Sequence, residues 1–201
     1  MADDPNAAVL DLDDIQSGVL RPRPSPYTAT YILLRIDAPR DGRELVRRLA
    51  DVVTSAAAPD RPGRDTWVSV ALTFEGLQAL GVPQASLDSF AWEFRQGMTA
   101  RADALGDVGA SAPAHWEAPF GGPGVHVILV GVAPDTASLE GALGRARAAF
   151  ADLAGIVPIW RQDCHAPPDE KEPFGFKDGI SHPAIEGRGI PGAKPLETPL
   201  K

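Results

Sequence analysis

The segment from Lys171 to Pro183 combines residue types that could carry out acid–base chemistry. Gly175 and Gly179 bracket a short turn, and both can adopt backbone dihedrals that are closed to other residues. Asp178 lies inside this turn, immediately before the second glycine. The spacing therefore predicts a carboxylate held in a tight, glycine-bounded loop.

Two aromatic residues flank this carboxylate and change what it could do. Phe174 and Phe176 supply apolar walls, and a carboxylate beside them is partly desolvated. Desolvation would raise the pKa of Asp178 from about 3.9 toward the working range of an acid–base catalyst. The structural alternative is an ordinary turn in which the carboxylate accepts hydrogen bonds from nearby amides. An Asp-Gly pair alone favours that alternative, whereas the flanking residues favour catalysis.

Other residues that could bind a metal or act as nucleophiles are sparse. Cys164 is the single cysteine, which excludes an internal disulfide and a thiolate metal cage, and an ordinary small buried residue is expected there. His126 lies within a predicted strand and has no second histidine or carboxylate at ligand spacing. His115 and His165 lie in predicted loops. Structural or surface roles are favoured for each of these histidines.

Hydrophobic periodicity in the first part of the chain predicts a strand, a helix and a second strand. Alternation predicts a strand at about Thr28–Ile36. A helical apolar face then begins at Asp41 and runs to about Ala57. A second strand is predicted at Thr66–Phe74, followed by a short helix at Glu75–Leu80.

The second part of the chain repeats this order after a less regular stretch. Short helices are predicted around Phe90 to Met98, and residues 106–124 form a loop rich in Gly, Pro and Ala. Val125–Val132 is apolar on both faces, which is typical of a central, covered strand. Asp135 or Thr136 can cap a second long helix, which ends at Gly155. Its predicted apolar stripe comprises Leu139, Leu143, Ala146, Phe150 and Leu153. A fourth strand is predicted at Ile156–Arg161, and everything after Cys164 is predicted as loop.

Two successive β-α-β units predict an α+β domain with the ferredoxin-like, or split βαβ, fold. In this fold one antiparallel sheet carries two long helices on one face. The predicted organisation has three parts: an extended, Pro-rich arm at 1–26, the ferredoxin-like domain at 27–166, and the glycine-bounded loop with a connecting segment at 167–201. The fold alone implies no function.

Composition limits the partners of this chain of 201 residues. A formal net charge of −8 disfavours binding to nucleic acids or to anionic membranes. No apolar run approaches the roughly 20 residues of a spanning helix. The stretch Met1–Asp14 is acidic and lacks the basic and apolar regions of a signal peptide, so a cytoplasmic location is expected.

Sequence patterns in the loop and upstream of it resemble the dye-decolorizing (DyP-type) haem peroxidase family. The run from Gly175 to Gly179 matches the G-x-x-D-G motif of that family, with Asp178 as the acidic residue. The runs Gly76–Pro83, Phe94–Met98 and Val125–Val130 are similar to family stretches around its second and third strands. The resemblance covers most of residues 28–187, and the motif with its flanks is the specific part.

This resemblance implies the N-terminal half of a haem peroxidase built as a dimeric α+β barrel from two ferredoxin-like halves. Asp178 would face the iron of haem b on the distal side, take a proton from hydrogen peroxide and deliver it to the departing oxygen. Phe176, Gly179, Ile180 and Ser181 would line the distal face. No metal ligand is expected in this chain, because the resemblance places the proximal histidine beyond Lys201.

The same resemblance implies partners and substrates. Hydrogen peroxide and a reducing donor, such as a dye or a phenol, would be the substrates. The C-terminal half, in the same protein or a separate chain, would hold the haem, and the chain could also form a homo-oligomer. His182 stands where many family members have Gln, and Pro173 stands where many have a polar residue. His182 could alter hydrogen bonding beside the haem.

Several aromatic side chains could relay oxidising equivalents to bulky substrates, although core packing is the favoured interpretation. They are Trp67, Trp92, Trp116, Trp160, Tyr27 and Tyr31, with Trp160 nearest in sequence to the loop. Two further functions remain open at this point. The chain could be a non-catalytic ferredoxin-like binding or assembly module, or a family member that releases iron from haem. Haem uptake together with a C-terminal half separates the peroxidase from the module.

Overall fold

The computed structural model of the chain describes residues 10–21, 23–57, 66–166, 171, 174–176, 184–185 and 197–198. The strands within these ranges are β1 (Thr28–Ile36), β2 (Trp67–Leu72), β3 (Val127–Ala133), β4 (Ile156–His165), β5 (Ala184–Ile185) and β6 (Glu197–Thr198). The α-helices are α1 (Ser17–Leu20), α2 (Pro39–Leu49), α3 (Phe74–Ala79), α4 (Gln84–Asp88), α5 (Trp92–Gln96), α6 (Ala102–Leu105) and α7 (Thr136–Ala148). Short 3₁₀ turns lie at Thr99–Arg101, Gly109–Ser111 and Pro113–His115.

Among the described strands, β1 to β4 form a sheet in the order β2-β3-β1-β4, and each neighbouring pair is antiparallel. β3 lies between β1 and β2, while β1 lies between β3 and β4. Each βαβ unit is therefore split by a strand of the other unit, which confirms the predicted ferredoxin-like fold. β3 is an inner strand, as its apolar sequence predicts, although Ile128 and Val130 on one of its faces are only half-buried.

The main hydrophobic core lies between the sheet and the helices α2 and α7. Leu34 and Leu129 from the inner strands meet Leu45 from α2 and Leu143 from α7, and all four side chains are fully buried. Both long helices therefore cover the same face of the sheet, which we call the helix face. Burial of each such leucine contributes on the order of 1.5–3 kcal/mol relative to exposure, so this layer dominates the stability of the domain.

The other face of the sheet, which we call the open face, carries a smaller buried cluster. Strand alternation and register place Ala29 and Tyr31 of β1, Trp67 of β2, and Val130 and Val132 of β3 on this side. Ala29, Trp67 and Val132 are buried together. Tyr31 and Val130 are only half-buried. The two faces of one sheet are thus covered to different extents.

The helix α2 is shorter than its sequence predicts. It begins at Pro39, a residue with a suitable φ for the first helical position, and ends at Leu49 rather than near Ala57. The backbone leaves the helix because Thr54 joins the sheet edge instead: its N–H donates to Val68 in β2 at 3.0 Å. The apolar periodicity continues beyond Leu49, but pairing with β2 decides the local backbone conformation.

The N-terminal segment packs against the same edge and is not extended throughout. The side-chain amide of Gln16 donates to the Val70 carbonyl at 2.9 Å and accepts from the Val70 N–H at 2.7 Å. The N–H of Ser17, at the start of α1, donates to the Thr54 carbonyl at 2.8 Å. These bonds cover the outer edge of β2, where unpaired backbone groups would otherwise face solvent.

Strand ends also differ from the predictions in ways that hydrogen bonds explain. β2 ends at Leu72 because the Thr73 hydroxyl caps α3, accepting from the Gly76 N–H at 3.0 Å. β4 continues to His165 rather than ending near Arg161. Its polar second half pairs with β1 as far as Thr28 and forms an edge of the sheet, where polar side chains remain solvated. The short parallel pair of β5 and β6 lies where only loop is predicted.

The insertion between β2 and β3 contains α5 within the predicted range, with α4 before it and α6 after it. Phe94 of α5 contacts Phe74 and Phe90, with ring centroids 6.0 Å and 5.2 Å apart. Gly106 ends α6 with a φ of 83°, a left-handed conformation that glycine adopts without strain. None of the helices in the described ranges has the length and apolar composition that crossing a membrane requires.

Candidate functional site

The glycine-bounded loop follows β4, whose end is fixed to β1. The N–H of Ala166 donates to the Tyr27 carbonyl at 2.9 Å, and the Thr28 hydroxyl donates to the Cys164 carbonyl at 3.3 Å. The ferredoxin-like sheet therefore holds the chain firmly up to residue 166. The segment with the candidate catalytic residue begins only a few residues later.

The described part of the loop shows two exposed aromatic rings around one glycine. Phe174 is 88% exposed and Phe176 is 76% exposed. Gly175 has a φ of 87°, in the left-handed region expected for this position. Large apolar side chains that are exposed to this extent are unusual on the surface of a fully assembled protein. In the described contacts, neither ring is packed in a core.

The remaining candidate residues of the loop lie outside the described residues. They are Asp178, Gly179, Ile180, Ser181 and His182. Their predicted roles as distal acid–base residue and as haem-lining residues therefore stay predictions. The same applies to the desolvation expected for the carboxylate of Asp178.

A charged network at the end of β4 fixes this strand to its neighbours. The buried hydroxyl of Thr30 donates to Asp163 Oδ1 at 2.7 Å, and Arg161 Nε donates to the same oxygen at 2.9 Å. The Thr30 hydrogen bond, followed by that of Arg161, holds the pKa of Asp163 below its ordinary value. Asp163 is thus ionised at neutral pH and is suited to anchoring the strand, not to proton transfer.

The same network reaches the helix α7. Arg161 donates to Glu140 at 2.8 Å, and Arg147 donates to the other Glu140 oxygen at 3.0 Å. Hydrogen bonds from Arg161 and then Arg147 lower the pKa of Glu140. Sequence reasoning did not identify this cluster, although charges at alternate positions of a strand edge, Arg161 and Asp163, were a usable signal.

On the open face of β4, Trp160 forms a half-buried aromatic contact. Phe120 packs edge-on against the Trp160 ring with centroids 5.1 Å apart. The indole N–H of Trp160 points to Glu117 Oε1 at 3.4 Å. Trp160 pairs with Leu33 of β1, so it stands on the sheet face that the long helices leave open.

The other tryptophans have different surroundings, and core packing holds only for Trp67, which is 7% exposed. Trp92 is 53% exposed, with the guanidinium of Arg101 stacked 5.0 Å from its ring centroid. The half-buried Trp116 donates its indole N–H to the Ser111 carbonyl at 2.8 Å.

The histidines of the described region are not arranged as metal ligands. His126 Nδ1 accepts a hydrogen bond from the Ile36 N–H at 2.9 Å, which commits that nitrogen to the sheet. His115 and His165 are exposed. Cys164 is a half-buried free thiol. The ranges that the structure describes contain no cluster of His, Cys, Asp and Glu that could hold a metal ion.

Comparison with known proteins extends over most of the chain. Residues 15–155 match the family model described as the DyP dimeric alpha+beta barrel domain. Peroxidase 2 of Mycetinis scorodonius is 31% identical over 78% of this chain and 29% of its own length. The dye-decolorizing peroxidase of Exidia glandulosa is 28% identical over 90% of this chain and 36% of its own length. The chain thus spans about a third of the length of the curated relatives it matches.

Solved structures give the same result at the level of the fold. An ancestral D-type dye-decolorizing peroxidase superimposes with a TM-score of 0.74 at 28% identity, over 90% of this chain and 41% of that chain. A mutant of the dye-decolorizing peroxidase from Pleurotus ostreatus also gives a TM-score of 0.74, at 25% identity over 90% of this chain and 41% of that chain. In both comparisons more than half of the larger protein has no counterpart in this chain.

Proposed function

Because the chain belongs to the family of dye-decolorizing peroxidases, we propose that it is the N-terminal part of a haem peroxidase. The enzyme uses hydrogen peroxide to oxidise dyes, phenols or similar donors. One observation carries this proposal: the G-x-x-D-G run from Gly175 to Gly179 follows shortly after a sheet of the family fold. Membership of the family rests on the match to its family model, and the motif is the basis for proposing Asp178 as the proton-transfer residue.

Haem b is the proposed cofactor, and the described residues are compatible with a supporting role in binding it. The exposed rings of Phe174 and Phe176 on either side of Gly175 offer apolar surface of the kind a porphyrin covers. Within the described ranges, His126 is committed to the sheet and no metal-binding cluster is present. Haem iron needs an axial donor, which we assign to the C-terminal half. Phe176, Gly179, Ile180 and Ser181 would contact the distal haem face.

Asp178 is the proposed distal acid–base residue. When bound, haem supplies the iron that coordinates peroxide and stores the oxidising equivalents. The Asp178 carboxylate accepts the proton from one peroxide oxygen and donates it to the other, which leaves as water. A carboxylate can perform both steps if its pKa lies near the working pH.

The open face of the sheet is the proposed contact surface for the C-terminal half. Tyr31, Val130 and Trp160 on this face are half-buried, whereas the helix face is closed by α2 and α7. A second sheet packed there would bury these side chains, as expected for two halves that form one α+β barrel. This arrangement would leave the loop after β4 free to reach the haem of the other half.

Replacing Asp178 tests the proposal in the protein assembled with its C-terminal half. We expect Asp178→Asn to lower kcat/KM for hydrogen peroxide by about 10²- to 10⁴-fold, because the amide cannot accept and return the proton. The haem absorbance of the variant should stay that of the parent protein. Asp169→Asn, which removes a charge from the same segment but outside the motif, is the matched control and should keep full activity.

Three results would contradict the proposal. Full peroxide turnover in Asp178→Asn would show that another group moves the proton. Failure to take up haem in the presence of the C-terminal half would instead favour a non-catalytic ferredoxin-like module. Haem uptake with loss of iron from the porphyrin, in place of donor oxidation, would identify the haem-processing alternative.

A further inference from the structure

An open groove lies on the helix side of the domain, between α2, the edge strand β2 and the N-terminal segment. Val46 and Val53 form one apolar wall, and Val70 and Leu72 of β2 form the other. Val46 is 39% exposed, and the other three side chains are half-buried. Apolar surface in this groove is therefore left partly uncovered by the described residues, unlike the leucine core beside it.

Two carboxylates stand at the rim of the groove. Asp13 and Asp14 both line it, both are exposed, and neither forms an ion pair with another described residue. Among the residues that the structure describes, the lining of the groove includes no Lys or Arg side chain. The nearby guanidinium groups of α2 are engaged elsewhere, because Arg47 binds Glu44 and Arg43 donates to a backbone carbonyl. The described part of the rim is thus negatively charged, with no cation from the described residues paired to it.

The segment that carries these carboxylates is fixed to the domain. Gln16 makes two hydrogen bonds with the backbone of Val70, and the Ser17 hydroxyl donates to the Ser55 carbonyl at 2.7 Å. The N–H of Ala56 donates to the carbonyl of Ile15 at 2.6 Å. These contacts hold the acidic rim beside the apolar walls instead of leaving it on a free tail.

We propose that this groove binds a small organic cation with an apolar body, of the alkylammonium or arylalkylammonium class. The apolar body covers Val46, Val53 and Val70, and the ammonium group lies beside Asp13 and Asp14. A neutral molecule of the same shape gains only the apolar contact, and an anion is repelled by the rim. The groove lies at the β2 edge of the sheet and β4 forms the opposite edge. None of the groove residues belongs to the motif, so the proposal does not depend on peroxidase activity.

Titration with n-hexylammonium, hexanol and hexanoate tests the proposal on the 201-residue chain, with backbone amide signals followed by NMR. We expect saturable shifts of the groove residues with n-hexylammonium, weaker binding of hexanol and no binding of hexanoate. Shortening the probe to n-pentylammonium should weaken binding by up to about fourfold, because one methylene less is removed from water. Added salt should weaken the binding of the ammonium and not that of hexanol.

Variants separate the two components of the site. Asp13→Asn and Asp14→Asn should each weaken n-hexylammonium binding by about two- to fivefold and leave hexanol binding unchanged. Ala50→Leu, at an exposed position lining the groove, should fill it and abolish binding of both probes. Asp11→Asn, an exposed acid outside the lining, is the control and should have no effect. Equal affinity for hexanol and n-hexylammonium, an unchanged affinity in both rim variants, or no saturable shifts would overturn the proposal.

Discussion

The two faces of the four-stranded sheet differ in how completely this chain covers them. On the helix face, Leu34 of β1 and Leu129 of β3 are fully buried under α2 and α7. On the open face, Tyr31 and Val130 from the same strands remain half-buried. Because strand side chains alternate between faces, Leu129 and Val130 of β3 experience these two environments.

The helix face accounts for most of the stability of the domain, whereas the open face offers apolar surface to a partner. The helix face carries the main buried core, with only the groove beside β2 left partly uncovered by the described residues. On the open face, and at the exposed rings of Phe174 and Phe176, the described residues leave apolar surface partly uncovered. Solved relatives contain further polypeptide that matches no part of this chain. An uncovered face is what we expect of one half of a two-part barrel.

The largest change in the free energy of unfolding is expected in β3. Truncating two neighbouring residues there compares the packing of the helix face with that of the open face. Leu129→Ala should lower the free energy of unfolding by about 2–5 kcal/mol, since it leaves a cavity in the core. Val130→Ala, one residue along the same strand, should cost about 1 kcal/mol or less, because the side chain is half-buried. Urea unfolding of the isolated chain measures both values.

One outcome of this pair of variants would contradict the prediction. If Val130→Ala destabilises the chain as much as Leu129→Ala, the open face is as tightly packed as the helix face. The distinction between a closed and an open face would then be wrong. Val130→Ala should instead show a larger effect once the C-terminal half is present.

A smaller effect is expected at Thr30, where the sheet meets the charged network of β4. Thr30→Val keeps the shape but removes the hydrogen bond to Asp163, so we expect a loss of about 1–2 kcal/mol at pH 7. Denaturant unfolding of both proteins measures this loss. Thr28→Val, which removes a half-buried hydroxyl bonded to a carbonyl at 3.3 Å, is the control and should cost less.

The effect at Thr30 should depend on pH in a defined direction. The pKa of Asp163 is lowered from its model-compound value of 3.8, chiefly by the Thr30 hydroxyl. A lowered pKa in the folded state stabilises the protein above the unfolded pKa, and this stabilisation is lost as pH falls through the folded pKa. The difference between parent and Thr30→Val should therefore be constant above about pH 5 and shrink below about pH 4. A difference that grows on acidification would rule out this ionised pair.

The fold was predictable from sequence where periodicity controls the structure. The alternation in Thr28–Ile36 gives β1 with its observed bounds, and the apolar run after Val125 gives an inner strand. Hydrophobic periodicity predicted the wrong ends for helices and strands where individual hydrogen bonds determine the backbone conformation. It extended α2 past Leu49, where pairing with β2 takes over, and it missed the last residues of β4 because edge strands tolerate polar side chains.

The candidate site was predictable in its residue types but not in its surroundings. The G-x-x-D-G run with its flanking Phe174 and Phe176 can be recognised in the sequence, because glycine allows the backbone dihedrals of a tight loop and phenylalanine supplies apolar surface beside it. The residue types predict apolar walls beside Asp178, whereas both rings are largely exposed in the structure. The groove beside Asp13 was not predictable either, because it depends on a side-chain amide, that of Gln16, bonding the edge of a distant strand.

The smallest effect is expected at Glu140 of α7, on the helix face of the sheet. Its partly exposed carboxylate pairs with Arg161 of β4 and with Arg147 of α7 itself. Glu140→Gln removes the ion pairs with Arg147 and Arg161 and should cost less than about 1 kcal/mol, because solvent screens partly exposed pairs. The loss should fall further when salt is raised from low to physiological ionic strength. Glu93→Gln, in α5, lacks an ion pair among the described residues and should show no salt dependence. A cost at Glu140 equal to that of Leu129→Ala would mean that charges, and not apolar burial, close the helix face.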